Sequence, residues 1–168
     1  MLYRTLMFMS CVACHTPRPI LLALGWVLGN LYYLIIAKMR RRAVAHMMPA
    51  LGIDEAAAKK LVRASFINMA RNFLDILAMP MLNERNFRDY IEIDHLERMQ
   101  EALAEGHGVV VLTGHIGCWE WLSAAFTLNG MPVSAIAKPQ PNIQYTRVLD
   151  DLRATIHVEI FSRGTSEL

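Results

Sequence analysis

From Tyr90 onward, strand-like and helix-like segments alternate to the last residue, and this feature constrains the fold more than any other. Apolar runs with the length of strands are predicted at 90–93, 108–113, 131–138 and 156–162. Helical segments separate them. Such alternation predicts a largely parallel α/β sheet with right-handed crossovers. In these sheets, ligands bind at the carboxyl ends of the strands.

The helices between these strands have recognisable end signals. The first is predicted to begin at Asp94 as its N-cap, to use Glu97 as a capping-box partner and to end before Gly106. Further helices are predicted at 118–130 and 141–155, and the final RGTSEL is predicted to open one more. The sheet would then be incomplete, so we interpret the chain as part of a larger α/β domain.

An uncharged apolar run occupies Pro19–Ala37 and is about as long as a membrane-spanning helix. The whole chain is 54% hydrophobic and only 19% charged, against about 25% charged in ordinary soluble domains. A basic cluster follows the run directly, at Lys38, Arg40, Arg41 and Arg42. Such a cluster favours anionic lipid headgroups and a cytoplasmic position.

We interpret this run as an uncleaved anchor that either spans the bilayer or lies in its surface. A buried core helix is the alternative. Nucleic acid is not an expected partner, because no aromatic side chains are interleaved with the arginines of the basic cluster.

The rest of the first half is also predicted to be helical. A short helix covers 1–16, and a longer one runs over about 20–45 until Pro49 breaks the pattern. Asp54 is a good N-cap for another amphipathic helix, which Pro80 ends.

The cysteines predict no disulfide framework, since there are only three, Cys11, Cys14 and Cys118. The sequence CVACH at 11–15 fits the haem-attachment pattern, but no export signal precedes it. A membrane-anchored c-type cytochrome is therefore a remote alternative. No metal site is predicted, because two cysteines and one crowded histidine do not complete a tetrahedral zinc site.

The candidate site lies where the apolar run GVVVLT ends, at His115 and Glu120. Inside one regular helix these residues would lie roughly 140° apart around the axis. They can meet only if His115 lies in a turn, which Gly114 and Gly117 would allow, and Glu120 in the first turns of the next helix. A glutamate bound to one imidazole nitrogen makes the other a better base, able to accept a hydroxyl proton. A turn histidine beside an unrelated surface glutamate is the alternative.

The segment GVVVLTGHIGCWEW resembles the H-x4-E/D block of the bacterial lipid A biosynthesis acyltransferases, the late lauroyl and myristoyl transferases related to the glycerolipid acyltransferases. The histidine, the glycine two positions later and the Trp-Glu pair all fit this block. Five other parts are similar to the family: the N-terminal apolar helix, MRRRAVAHMMPALG, LVRASFINMARNFLDIL, the KP after the third strand, and FSRGTS.

The resemblance implies transfer of a fatty acyl chain from an acyl carrier protein or coenzyme A thioester, with no other cofactor. The acceptor would be a hydroxyl on a lipid A precursor in the inner membrane, at its cytoplasmic face. By the same resemblance, His115 matches the general base and Glu120 its orienting carboxylate. Arg153, with Arg147 as runner-up, matches an arginine that holds phosphate or stabilises the oxyanion. Lys138 and Arg163 are weaker candidates for phosphate contacts.

The sequence also predicts an organisation into two parts. Residues 1–52 would form the N-terminal anchor and basic stretch, and 53–168 a glycerolipid-acyltransferase-like α/β domain without its C-terminal part. Family members are expected to be nearly twice as long as this chain. A non-catalytic membrane-bound fragment, and an acyltransferase acting on another acceptor such as a glycerolipid, are therefore the alternative functions.

Overall fold

The computed structural model describes residues 1–163 and confirms an α/β fold. Seven helices are present in this part of the chain: α1 Leu2–His15, α2 Arg18–Ile35, α3 Ala37–Leu51, α4 Glu55–Ala78, α5 Leu96–Ala104, α6 Trp119–Thr127 and α7 Ile143–Ala154. The strands are β1 Val133–Ala137 and β2 Val158–Ser162, and short 3-10 helices cover Met79–Met81 and Phe87–Asp89. The chain divides into two compact units, one spanning Met7–Ala78 and the other combining Met1–Leu6 with the chain from Met79 onward.

The helical unit Met7–Ala78 is built on the close packing of α2 against α4. A Cβ atom added at Gly29 would lie 2.4 Å from the Ile67 Cα, and one at Gly25 would lie 3.0 Å from the Arg71 Cα. Glycine at these two positions therefore lets the helix backbones approach more closely than any side chain would permit. Helix α3 closes over this pair through a buried cluster of Val44, Ala58, Val62 and Phe66.

The long helix predicted over about 20–45 is wrong, because the chain breaks at Ile36 (φ −89°, ψ 64°) into α2 and α3. Pro49 was expected to end the helical region, but it lies inside α3. A proline removes one backbone hydrogen bond, and the helix ends two residues later, where Gly52 adopts a left-handed conformation. The Asp54 cap is confirmed, since its Oδ1 accepts from the Ala57 amide at 2.8 Å.

The second unit contains the sheet, in which β1 and β2 are parallel and in register from Val133–Val158 to Ala137–Ser162. Helix α7 makes the crossover between them, and its Leu152 is fully buried. The first turn of α1 docks on α7: the Tyr3 amide donates to Gln144 Oε1 at 3.0 Å. The Tyr3 hydroxyl donates to Asp151 Oδ2 at 2.6 Å.

Two of the four predicted strands are wrong. Residues 90–93 and 108–113 are not in strands, and within residues 1–163 the sheet has two strands. A strand is held by hydrogen bonds to a neighbouring strand, and an apolar sequence alone does not supply that neighbouring strand. Without a neighbouring strand or a helix to cover it, the 108–113 run is solvent-exposed, with Val110 at 97% and Leu112 at 98%.

The end signals of α5 are partly confirmed, since the helix ends at Ala104, before Gly106, as predicted. Helix α5 begins at Leu96, with His95 at the cap position in a left-handed conformation (φ 57°). Asp94 is therefore not its N-cap. Glu97 does not form a capping box, because its carboxylate instead accepts from His95 Nδ1 at 3.0 Å. The helix predicted from the final RGTSEL lies outside the described residues, apart from Arg163.

Candidate active site

The predicted placement of the two motif residues is found. His115 lies in the turn before α6, and Glu120 is the second residue of that helix. Within the turn, the Ile116 amide donates to the Gly114 carbonyl at 2.8 Å, and Gly117 has a φ of 60°, which a residue with a side chain rarely adopts.

Glu120 is buried and is held by a residue 33 positions further along the chain. Its carboxylate oxygens accept from Arg153 Nε at 2.8 Å and from Arg153 Nη2 at 2.6 Å. A third donor, the Trp119 indole Nε1, lies 3.2 Å from Oε1. Two parallel bonds from one guanidinium fix both the position and the plane of a carboxylate. The same hydrogen bond raises the pKa of Arg153, so this cation is even harder to deprotonate than a free arginine.

His115 is exposed, and its ring packs against the Trp119 ring with the centroids 4.6 Å apart. Within residues 1–163, no hydrogen bond joins the His115 imidazole to the Glu120 carboxylate. Trp119 connects the two instead, since its ring contacts the histidine and its Nε1 donates to the glutamate. The dyad therefore stays a prediction, and Trp119 is an additional part of the site to which the motif alone gave no role.

The other predicted binding residues fall elsewhere in the same unit. Lys138 and Arg163 are exposed and directly follow β1 and β2, and the Arg163 amide donates to the Ala137 carbonyl at 2.9 Å. Both cations thus lie at the carboxyl edge of the sheet, where α/β proteins bind ligands. Arg147 lies over the Tyr3 ring, with its guanidinium carbon 4.6 Å from the ring centroid.

The structure joins Glu120 and Arg153 directly, whereas Lys138 and Arg163 follow the two strands at the carboxyl edge of the sheet. Among residues 1–163, no three histidine, cysteine, aspartate or glutamate side chains are placed so that they could hold a metal ion.

An exposed imidazole in a glycine-containing turn, before a helix whose second residue is a buried glutamate, can serve proton transfer to or from a hydroxyl. The α/β fold and this turn thus fit the acyl-transferring class of enzymes that the motif indicated, and the sequence matches a family of this class over residues 2–166. The chain belongs to the bacterial lipid A biosynthesis acyltransferases. A search among curated proteins finds no match.

Proposed function

We propose that this chain transfers a fatty acyl group from an acyl carrier protein or coenzyme A thioester to a hydroxyl of a lipid A precursor. Family membership supports acyl transfer in lipid A biosynthesis, and the exposed His115 imidazole is the observation that supports the catalytic role. We assign His115 as the general base, Glu120 as the carboxylate behind it, and Lys138 and Arg163 as phosphate contacts.

In the proposed reaction, an imidazole nitrogen of His115 takes the proton from the acceptor hydroxyl while the oxygen attacks the thioester carbonyl. The tetrahedral intermediate then collapses, the C–S bond breaks, and the imidazolium returns the proton to the departing thiolate. The products are an ester and a free thiol, so the reaction needs no covalent acyl-enzyme.

The geometry favours a positioning role for Arg153 over oxyanion stabilisation. Its Nε and Nη2 are already committed to Glu120, and its side chain is only 15% exposed. We infer that Arg153 and Trp119 hold the Glu120 carboxylate in a fixed orientation behind the catalytic turn.

We also propose that the reaction takes place at the cytoplasmic face of the inner membrane. Helix α2 is long and apolar enough to cross a bilayer, with only 17% of its apolar window buried. The basic residues that begin α3 favour the anionic cytoplasmic leaflet, whether α2 spans the bilayer or lies along its surface.

The test uses the full chain in mixed micelles with a lipid A precursor and radiolabelled acyl-carrier-protein or acyl-coenzyme A. We expect His115→Ala to lower the turnover rate by about 10²–10⁴, the usual contribution of a general base. His107→Ala, which alters an exposed histidine in the preceding loop, should keep the wild-type rate.

A wild-type chain that forms no acylated product with either donor would favour the non-catalytic alternative. Product formed only with a glycerolipid acceptor would favour the other alternative. An unchanged rate in His115→Ala would show that the imidazole is not the base.

A further inference from the structure

The helical unit Met7–Ala78 contains a cavity of about 470 Å³ that has no part in the proposed reaction. Helix α4 supplies three cations to its lining, Lys59, Lys60 and Arg63. Helix α2 supplies Trp26, Asn30, Tyr33 and Leu34. A cavity with cations on one wall and aromatic rings on the other is suited to an anionic group attached to an apolar body.

Arg63 is held in place by the opposite wall. Its Nε donates to Asn30 Oδ1 at 2.6 Å, and Asn30 Nδ2 in turn donates to the Trp26 carbonyl at 2.7 Å. These two bonds orient the guanidinium through one nitrogen, and its terminal nitrogens make no hydrogen bond or ion pair within residues 1–163. A guanidinium fixed in this way can present two parallel donors to a phosphate.

The positive charge around the cavity is only slightly compensated. Glu55 pairs with Lys59 at 2.8 Å, which raises the pKa of this lysine. Arg40 adds a further cation beside the cavity, since its Nη1 donates to the Tyr33 carbonyl at 2.8 Å and its guanidinium lies over the Tyr33 ring. The site therefore favours an anion.

An exposed apolar band lies beside the cavity on α2. At about 100° per residue, Val27, Leu31 and Ile35 lie roughly 20–100° around the axis from Leu34, which lines the cavity. All three are more than half exposed, at 51%, 51% and 64%. A ligand with its anionic head in the cavity can thus lay apolar chains along this band.

Arginine side chains of α4 contact α2 at points along most of its length. Arg71 Nε donates to the Leu22 carbonyl at 3.3 Å, and Arg63 reaches Asn30, two turns further along α2. The Gly29 contact leaves no space between the helices, so α4 would enter the membrane together with α2. A spanning α2 would place these two arginines in the hydrocarbon, which is costly. An α2 that lies along the membrane surface keeps them at headgroup level.

We propose that this cavity binds the phosphate headgroup of an anionic phospholipid while α2 lies along the surface of the same leaflet, with its apolar band in the acyl layer. The proposal rests on the membrane association proposed above but not on acyl transfer. It can therefore be tested without any acyl donor.

The first experiment titrates the full chain in dilute detergent with monomeric dihexanoyl-phosphatidylglycerol. Trp26 fluorescence is read as the difference between the wild type and Trp26→Phe. We expect a saturable change that dihexanoyl-phosphatidylcholine and inorganic phosphate do not reproduce at the same concentration. Lys60→Gln/Arg63→Gln should weaken binding by about 30-fold, since two cations are lost. Arg41→Gln/Arg42→Gln removes the same charge from α3 and should leave binding within about twofold.

Asn30→Ala is a second variant that keeps the net charge but removes the acceptor that holds Arg63 Nε. It should weaken binding several-fold. Equal losses of affinity in the two double glutamine variants would show that only general surface charge matters, and would overturn the proposal. An equal response to phosphatidylcholine, or saturation of the signal by inorganic phosphate alone, would also overturn it.

The second experiment tests the orientation of α2 with vesicles that contain phosphatidylglycerol and brominated acyl chains. Trp26 lies at the middle of α2, so a spanning helix would place it near the bilayer centre. We expect bromines near the headgroup to quench Trp26 more strongly than bromines near the chain ends. Stronger quenching by the deep bromines would overturn the surface orientation and, with it, the proposal.

Discussion

At the residue scale, the central feature of the site is the ion pair between Glu120 and Arg153. The sequence allowed the turn to be predicted, because a glycine-flanked histidine after an apolar run has few other conformations available. It could not show the partner of Glu120, because α7 lies 33 residues away and only the packed fold brings it near. Arg153 was predicted as a site residue by family resemblance, but its contact with the carboxylate was not.

Removing Arg153 should destabilise the protein. Arg153→Leu leaves the Glu120 carboxylate, which is 8% exposed, without its guanidinium partner. Breaking one side of a buried ion pair costs about 3–5 kcal/mol, so we expect the free energy of unfolding in urea to fall by about that amount. Arg98→Leu, on the exposed side of α5, should change it by less than about 0.5 kcal/mol. Equal stabilities for the two variants would contradict the structural role of the pair.

The Tyr3 hydroxyl gives a prediction about pH. Its hydrogen bond to Asp151 raises the pKa of Tyr3, because the phenolate would lie beside a carboxylate. A folded-state pKa above the unfolded value stabilises the fold below about pH 10, and this contribution is lost as the pH rises through the folded-state pKa. Absorbance titration at alkaline pH should show one late-titrating tyrosine that is missing in Tyr3→Phe. A Tyr3 that ionises at or below the ordinary tyrosine pKa would contradict the bond.

At the element scale, patterns with local physical causes predicted the structure well. The Asp54 cap, the helix end before Pro80 and the α6–β1–α7–β2 succession all depend on neighbours in the chain, and all are present. The strands predicted at 90–93 and 108–113 are absent, because a strand depends on a partner that its own sequence does not contain.

Gly29 should tolerate no side chain. A methyl group there would meet the backbone of Ile67 and Phe66, which cannot move aside as a flexible side chain could. We expect Gly29→Ala to lower the thermal midpoint of the helical unit by several degrees, although alanine is the better helix former. Ala23→Ser, at an exposed position of the same helix, serves as the control. A more stable Gly29→Ala variant would contradict the close approach of α2 and α4.

The 109–113 segment should exchange its amide hydrogens quickly. Within residues 1–163 the backbone of this segment makes no hydrogen bond, whereas β1 pairs with β2 along its whole length. In hydrogen–deuterium exchange, a peptide covering 109–113 should reach full exchange long before one covering Val133–Ala137. Equal protection of the two peptides would show that the predicted strand forms after all.

At the scale of the whole molecule, the chain consists of a helical unit with an exposed apolar band on α2 and a unit that contains the sheet, and the family match covers both. The fold class was predictable because alternating strands and helices leave few other architectures. The division near Ala78 was not predicted: the sequence indicated a boundary at residue 52, which separates anchor from enzyme by composition. The boundary between the compact units follows packing. Helix α4 packs closely against α2, although many of its residues are polar. The functional boundary at residue 52 stays a prediction.

The exposed run Val109–Leu112 has a practical consequence for work with this protein. Unpaired backbone with large, exposed aliphatic side chains can accept the same segment from another molecule, and such pairing grows with concentration. Purification at high concentration would therefore favour insoluble material even when each chain is correctly folded. A single lysine in place of Val110 should interrupt this self-association and leave the His115 turn intact.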